Sequence, residues 1–167
     1  FPGAGACHSD RPPPAHDERT MALTPPAALP RDQRRFDVIV YGAASFVGKI
    51  LTRYLQARHG EDGALRWAIA GRNASKLEEV KRERGLTTLP VRLADAADAV
   101  ALREMAVQAR VVASTVGPYA LYGDALVAAC AELGTDYCDL TGEVPWMQRM
   151  IHAHATTAQQ SGARIVH

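Results

Sequence analysis

Apolar and polar positions along this chain alternate between the two-residue rhythm of strands and the 3.6-residue rhythm of helices. Phe36 to Tyr41 is a short β-type run; Val47, Ile50, Leu51, Tyr54 and Leu55 then fall at i, i+3, i+4, i+7 and i+8, one helix face. Leu65 to Ala70 predicts a second strand, which Gly71-Arg72-Asn73 breaks. Ser75 with Glu78 reads as a capping box for a helix carrying Leu77 and Val80 and ending near Gly85. Leu89 to Leu93 predicts a third strand, Asp98 caps a helix through Leu102, Met105 and Ala106, and Arg110 to Thr115 predicts a fourth strand. A helix from about Leu121 to Leu133 stops at Gly134. Asp136 to Leu140 follows as a fifth strand, then a helix marked by Met147, Met150, Ile151 and His154, with Pro145 in its first turn. Ala163 to Val166 opens a sixth strand. Strand and helix in this order predict an α/β, Rossmann-type doubly wound parallel sheet covered on both faces.

Composition narrows the class. With 167 residues, 47% of them hydrophobic, the chain can bury one domain core, and a net charge of +1 leaves no electrostatic footprint for nucleic acid. No apolar run reaches the ~18 residues of a membrane span. The three cysteines lack metal-ligand spacing, and Cys130 and Cys138 sit in apolar surroundings, as reduced core thiols of a cytoplasmic protein would. Residues 1–35 hold seven of the ten prolines without either period, so they read as a disordered leader before a Rossmann domain at 36–167. The sheet pattern stops on a strand, as expected for a cofactor domain cut off before a second, substrate-binding domain. Oligomeric state stays open, a homo-oligomer included.

Candidate chemistry lies in the loops after the strands, where ligands of doubly wound sheets bind. Gly42-Ala43-Ala44-Ser45-Phe46-Val47-Gly48 takes the chain from strand through a tight turn into a helix, aiming free N–H groups and the positive helix end at one spot suited to a pyrophosphate. In this G-x-x-G-x-x-G spacing Ser45 replaces the middle glycine, and its Cβ narrows the approach to phosphate. After the second strand there is no acid to hold a ribose 2′-hydroxyl; Arg72, with Asn73 and Lys76 behind it, predicts a 2′-phosphate and therefore NADP(H). Asp95 is placed either for an adenine amino group or as a cap. Thr115-Val116-Gly117-Pro118-Tyr119 and Tyr122 are expected to line the pocket. Asp139 reads as a turn-former or general acid/base, and Glu143 as a favourable charge for the helix it precedes or as that same acid/base. His152 and His154, two apart on a helix, make a poor metal pair, and no metal site is expected.

These segments together resemble a known family. Asp37 to Ala43 with Phe46 and Gly48, Ala70-Gly71-Arg72-Asn73 with Lys76-Leu77, Thr115 to Tyr119 with Tyr122-Gly123, Gly134 to Tyr137 leading into Asp139-Leu140-Thr141-Gly142-Glu143, and Ala163 to His167 look like the N-terminal NADP-binding domain of the saccharopine dehydrogenase-like oxidoreductases. That group includes the mycobacterial trans-acting enoyl reductases. The family usually reads Gly-Phe-Thr-Gly where this chain has Ser45-Phe46-Val47-Gly48. The resemblance implies an NADP-dependent redox enzyme acting on a small molecule or a lipid, enoyl reduction being one family chemistry, with a C-terminal domain absent from this sequence.

Two neighbouring enzyme classes are discounted. Short-chain dehydrogenases need a tyrosine followed by lysine at i+4, but Tyr54, Tyr119 and Tyr122 are followed by Arg58, Gly123 and Leu126. Acyl-phosphate-reducing dehydrogenases need an activated cysteine, whereas Cys130 lies in an apolar helix and Cys138 in a strand. The remaining alternative is a nucleotide-sensing or partner-binding module without turnover. Residues 1–167 alone are expected to bind cofactor but not to turn over.

Overall fold

The computed structural model describes residues 27–167. Six parallel strands form one sheet: β1 (Phe36–Tyr41), β2 (Trp67–Gly71), β3 (Val91–Leu93), β4 (Ala109–Ser114), β5 (Asp136–Cys138) and β6 (Ile165–Val166). Their order, β3-β2-β1-β4-β5-β6, reverses direction between β1 and β4. The helices are α1 (Phe46–His59), α2 (Ala74–Arg84), α3 (Ala99–Ala106), α4 (Tyr119–Tyr122), α5 (Asp124–Leu133) and α6 (Val144–Ser161). The doubly wound expectation holds, and each expected strand and helix has its counterpart.

Register decides which side chains share a face, because paired residues of parallel strands point the same way. Val40, paired with Ile69, packs with Leu77 and Val80 of α2 and Leu55 of α1. Ile39, Ala68 and Val112 point oppositely, into a core with Leu102 and Met105 of α3, Leu126 and Cys130 of α5, and Trp146 and Met150 of α6. The near-continuous apolar runs of β1 and β2 reflect burial from two sides.

Several boundaries shift for physical reasons. The predicted second strand starts two residues late because Leu65 and Arg66 precede the ladder, and the third is shortened to Val91–Leu93. Asn73, not Ser75, caps α2: its side chain accepts the Lys76 amide at 3.0 Å. Asp98 caps α3 as expected, accepting from Val100 and Ala101. The single helix expected over 121–133 is two, α4 and α5, meeting at Gly123, which lies against Trp146.

Of the expected leader, residues 1–26 lie outside the described residues. The rest packs on the domain through a 3-10 turn at Arg31–Gln33. Arg34 is buried and donates to the carbonyls of Leu133 (2.7 Å) and Ala109 (2.8 Å) and to Thr135 Oγ1 (2.8 Å). It thereby satisfies a carbonyl at the C-terminal end of α5. Contacts with the domain therefore begin before residue 36.

Candidate functional site

The reversal of strand order opens a crevice of about 360 Å³ at the carboxyl ends of β1, β2 and β4. The sequence places its walls there. β1 ends at Gly42, whose φ of +87° makes the turn; a Cβ at this position would meet Val116 Cγ2 at 2.6 Å and Thr115 Oγ1 at 2.7 Å. Gly48 lies on the buried side of α1, where a Cβ would collide with the Gly42 carbonyl oxygen and the Ala43 backbone. Small residues therefore bring the helix N-terminus down onto the turn.

That close packing corrects the predicted face of α1. Its buried positions are Gly48, Thr52 and Leu55, while Ile50 and Tyr54 are exposed. The helix is where the periodicity puts it, but rotated.

The amides of the turn divide into two groups. Those of Gly42 and Ala43 bond to the Ala70 carbonyl (2.8 and 3.2 Å), and that of Ser45 to the Gly42 carbonyl (2.8 Å). Gly48 donates to the Ser45 hydroxyl at 3.0 Å. The amides of Ala44, Phe46 and Val47 have no protein partner among the described residues. They face the positive end of α1, an arrangement suited to an anion.

Ser45 is thus the N-cap of α1. Its hydroxyl also lies 3.0 Å from Thr115 Oγ1, which donates toward the carbonyls of Tyr41 (3.1 Å) and Gly42 (3.0 Å). With the Thr115 proton committed to those carbonyls, Ser45 donates to Thr115 while accepting from Gly48.

At the other end of the crevice Arg72 and Lys76 are exposed, line it, and form no ion pair among the described residues. Asp95 also lines it; it is not the helix cap, which is Asp98, but one oxygen accepts the Ala97 amide at 3.0 Å in the preceding turn, and the other has no protein partner among the described residues. Tyr41 adds a wall the sequence reading missed, its hydroxyl pushed up to about 12 by burial and by the Asp95 charge. Ala44 and Ala96 were missed as well; both are small residues with no chemical signature in the sequence.

Among the predicted residues, Gly42, Ser45, Arg72, Asn73, Asp95, Thr115, Val116 and Gly117 line the crevice, and so do Lys76 and Tyr122. Ala43 and Gly48 are buried beneath it, and Phe46 projects into solvent from the first turn of α1. Val47 turns its side chain toward a second groove. Pro118 is exposed outside the crevice wall.

Tyr119 departs from expectation. Its ring is buried against Trp146 (centroids 5.5 Å apart), and its hydroxyl donates to the Ser114 carbonyl at 3.1 Å. It anchors the loop from below instead of lining the pocket. Glu143 is also reassigned: its carboxylate does not cap α6 but accepts the amides of Tyr119 (2.7 Å) and Ala120 (2.9 Å), at the start of α4. Asp139 follows the turn-former reading: its unexposed carboxylate accepts from the Thr141 amide (3.0 Å) and the Tyr137 hydroxyl (2.8 Å), and lies 2.9 Å from His167 Nδ1. Burial pushes both the Cys130 and Cys138 thiols up, which suits apolar packing and not nucleophilic use. Among the described residues no helix is long and apolar enough to cross a membrane.

A glycine turn, a bare helix N-terminus at the strand-order reversal and a cationic far rim define a dinucleotide-binding domain of the Rossmann class. Residues 38–166 match the family model for the saccharopine dehydrogenase NADP binding domain. The chain belongs to that family, whose cofactor is NADP(H).

Its relatives include a Mycobacterium tuberculosis protein provisionally named a trans-acting enoyl reductase, 48% identical over 136 residues (80% of this chain, 32% of that one). The trans-acting enoyl reductase of Mycobacterium leprae is 42% identical over 137 residues, 81% of this chain and 32% of that one. The chain thus spans about a third of the length of these curated relatives. Among solved structures, saccharopine dehydrogenase (L-Glu forming) of Saccharomyces cerevisiae superposes with a TM-score of 0.59 at 16% identity, covering 78% of this chain and 26% of that one. The triphenylmethane reductase of Citrobacter sp. gives 0.55 at 15%, covering 78% and 47%. At these identities the two structures corroborate the fold.

Proposed function

We propose that this domain holds NADP(H) for an oxidoreductase that reduces a carbon–carbon double bond in a lipid. The observation that carries the cofactor part is the pairing of three amides at the α1 N-terminus with two cations, Arg72 and Lys76, across the same crevice, none of them partnered among the described residues. The amides of Ala44, Phe46 and Val47 would hold the diphosphate, and the absence of a side chain at Gly42 keeps the backbone open to it. The Arg72 fork, with Lys76, would grip the 2′-phosphate through charge-assisted hydrogen bonds. The free oxygen of Asp95 would accept from the adenine amino group. Thr115, Val116, Gly117 and Tyr122 would line the nicotinamide end.

The bound cofactor supplies the hydride, so the protein's share is binding and orientation. Asp139 and Glu143 are assigned no proton-transfer role, since both are engaged in holding loops and neither lines the crevice. The names of the mycobacterial relatives support enoyl reduction. Unpaired, buried or half-buried thiols support a cytoplasmic setting. Residues 1–167 by themselves bind cofactor without turnover; steady NADPH oxidation by them with an enoyl substrate would contradict this.

Fluorescence titration tests the reading. NADPH binds in the micromolar range and NADH far more weakly. Arg72→Ala weakens NADPH by about tenfold to a hundredfold, the worth of one hydrogen bond to a charged group, and leaves NADH unchanged. Equal affinity for the two coenzymes in the unaltered protein would refute the assignment of Arg72.

A further inference from the structure

The sheet is covered unequally. On one face α3, α5 and α6 close over β4 and β5, and Val112 and Tyr137 are 0% and 1% exposed. The neighbouring residues Val111, Ala113 and Cys138, and Val166 in register with Cys138, point to the opposite face. There α1 and α2 pack over β1, β2 and β3; over β4 and β5 α1 reaches only the groove's edge, and Arg31 covers Asp136 at the start of β5. Val111, Ala113 and Cys138 are only half-buried and Val166 is 59% exposed. Alongside them the flank of α1 leaves Ile50 and Tyr54 53% and 55% exposed. Ala113 and Cys138 with Ile50 and Tyr54 border a groove of about 360 Å³, apolar except near Ser114, Thr115 and Asp139; Val111 and Val166 extend the same face beyond it. Parallel strands are ordinarily buried on both faces, so this half-face lacks a layer.

We infer that the missing layer is one helix of the same polypeptide, supplied by chain following residue 167, which lays an apolar stripe across β4, β5 and β6 beside α1. Three strands spaced ~4.8 Å apart span roughly 10 Å, the diameter of a single helix. The relatives have length to spare outside the matched region, which is only 32% of each. A second copy of the chain is the poorer occupant. α1 stands as a wall along one side of the groove, so two copies cannot lay these strands flat against each other. Thr115 lines both this groove and the cofactor crevice, so the docked helix brings its neighbouring residues to the β4 end of that crevice. The surface stands on sheet coverage alone and does not require that the crevice bind NADP(H).

Site-specific photo-crosslinking in the full-length gene product tests it. p-Benzoylphenylalanine replaces Tyr54 or Ile50, both solvent-facing in this domain; Val100, 53% exposed on α3, is the control position. The expected result is an adduct at 54 and 50, absent at 100, that keeps monomer mass on a denaturing gel and maps by mass spectrometry to peptides beyond residue 167. Adducts of dimer mass would overturn the proposal in favour of self-association. Absence of any protein adduct in a variant that still binds NADPH, or equal adducts at 54 and 100, would overturn it too. NADPH binding in the same samples separates this outcome from failure of the cofactor reading.

Discussion

The hydroxyls of Ser45 and Thr115 lie 3.0 Å apart and join the turn after β1 to the end of β4. Ser45 is both the cap of α1 and one end of a stitch across the point where the sheet changes direction. The sequence pattern alone presents Ser45 as a lost glycine; the structure gives it a bonding role. Ser45→Ala removes both contacts and is expected to lower unfolding free energy by about 1–2 kcal/mol, the range for losing an N-cap hydroxyl. Urea denaturation followed by far-UV circular dichroism measures this. A change below a few tenths of a kcal/mol would show the cap to be dispensable.

Gly48→Ala is expected to be the harsher change. The new methyl would strike the Gly42 carbonyl and the Ala43 backbone, groups that cannot rotate away as a side-chain tip can. A loss of about 3 kcal/mol, the upper range for overpacking, should accompany weakened NADPH binding, since α1 must lift from the turn. Wild-type stability and affinity in this variant would contradict the close approach.

Glu143 ties the loop after β5 to the loop after β4 through the Tyr119 and Ala120 amides. Glu143→Gln keeps one acceptor oxygen of two and removes the charge. Amide hydrogen exchange at Tyr119 and Ala120 should quicken by about tenfold or more, corresponding to about 1.4 kcal/mol of local opening energy. NADPH affinity should fall a few-fold, because residues 115–117 line the crevice. Unchanged exchange at both amides would remove Glu143 from any positioning role.

Acid stability should depend on Asp136. Burial works against its charge, but hydrogen bonds from Arg164 and Arg31 outweigh it and hold the carboxyl at about 2, below the ordinary 3.8. A depressed folded-state value means the carboxylate stabilises above its unfolded pKa, and this is lost as pH falls from about 5 toward 2. Asp37, held at about 2 by hydrogen bonds from Arg66, acts in the same sense. Urea midpoints measured across this window should fall less steeply for Asp136→Asn than for the unaltered protein. Parallel slopes would rule Asp136 out.

Local signals made the fold legible. Strand runs of Val and Ile, helix stops at Gly85 and Gly134, and the Asp98 cap each act within a few residues of chain, so their reading survives in the structure. Side-chain direction was harder. Val47, Ile50, Leu51, Tyr54 and Leu55 form the more apolar stripe of α1, yet the helix buries Gly48 and Thr52 because small groups allow nearer contact with the turn. Tyr119 reads as a pocket wall until Trp146 is known to sit beneath it. Glu143 reaches residues 24 and 23 positions away, a partnership with no periodic trace. The glycine turn and Arg72 were readable because backbone freedom and charge are written in residue type itself.

The strand reversal means that residues from the segments 41–45, 71–77, 95–96 and 115–117, with Tyr122, form one crevice only after β1 has settled between β2 and β4. An unfolded chain holds none of this cradle together, so dinucleotide can attach only to the assembled state. At a hundred times its dissociation constant a ligand of that kind adds about 2.7 kcal/mol to the folding equilibrium. The supply of coenzyme would then govern how long the folded domain persists.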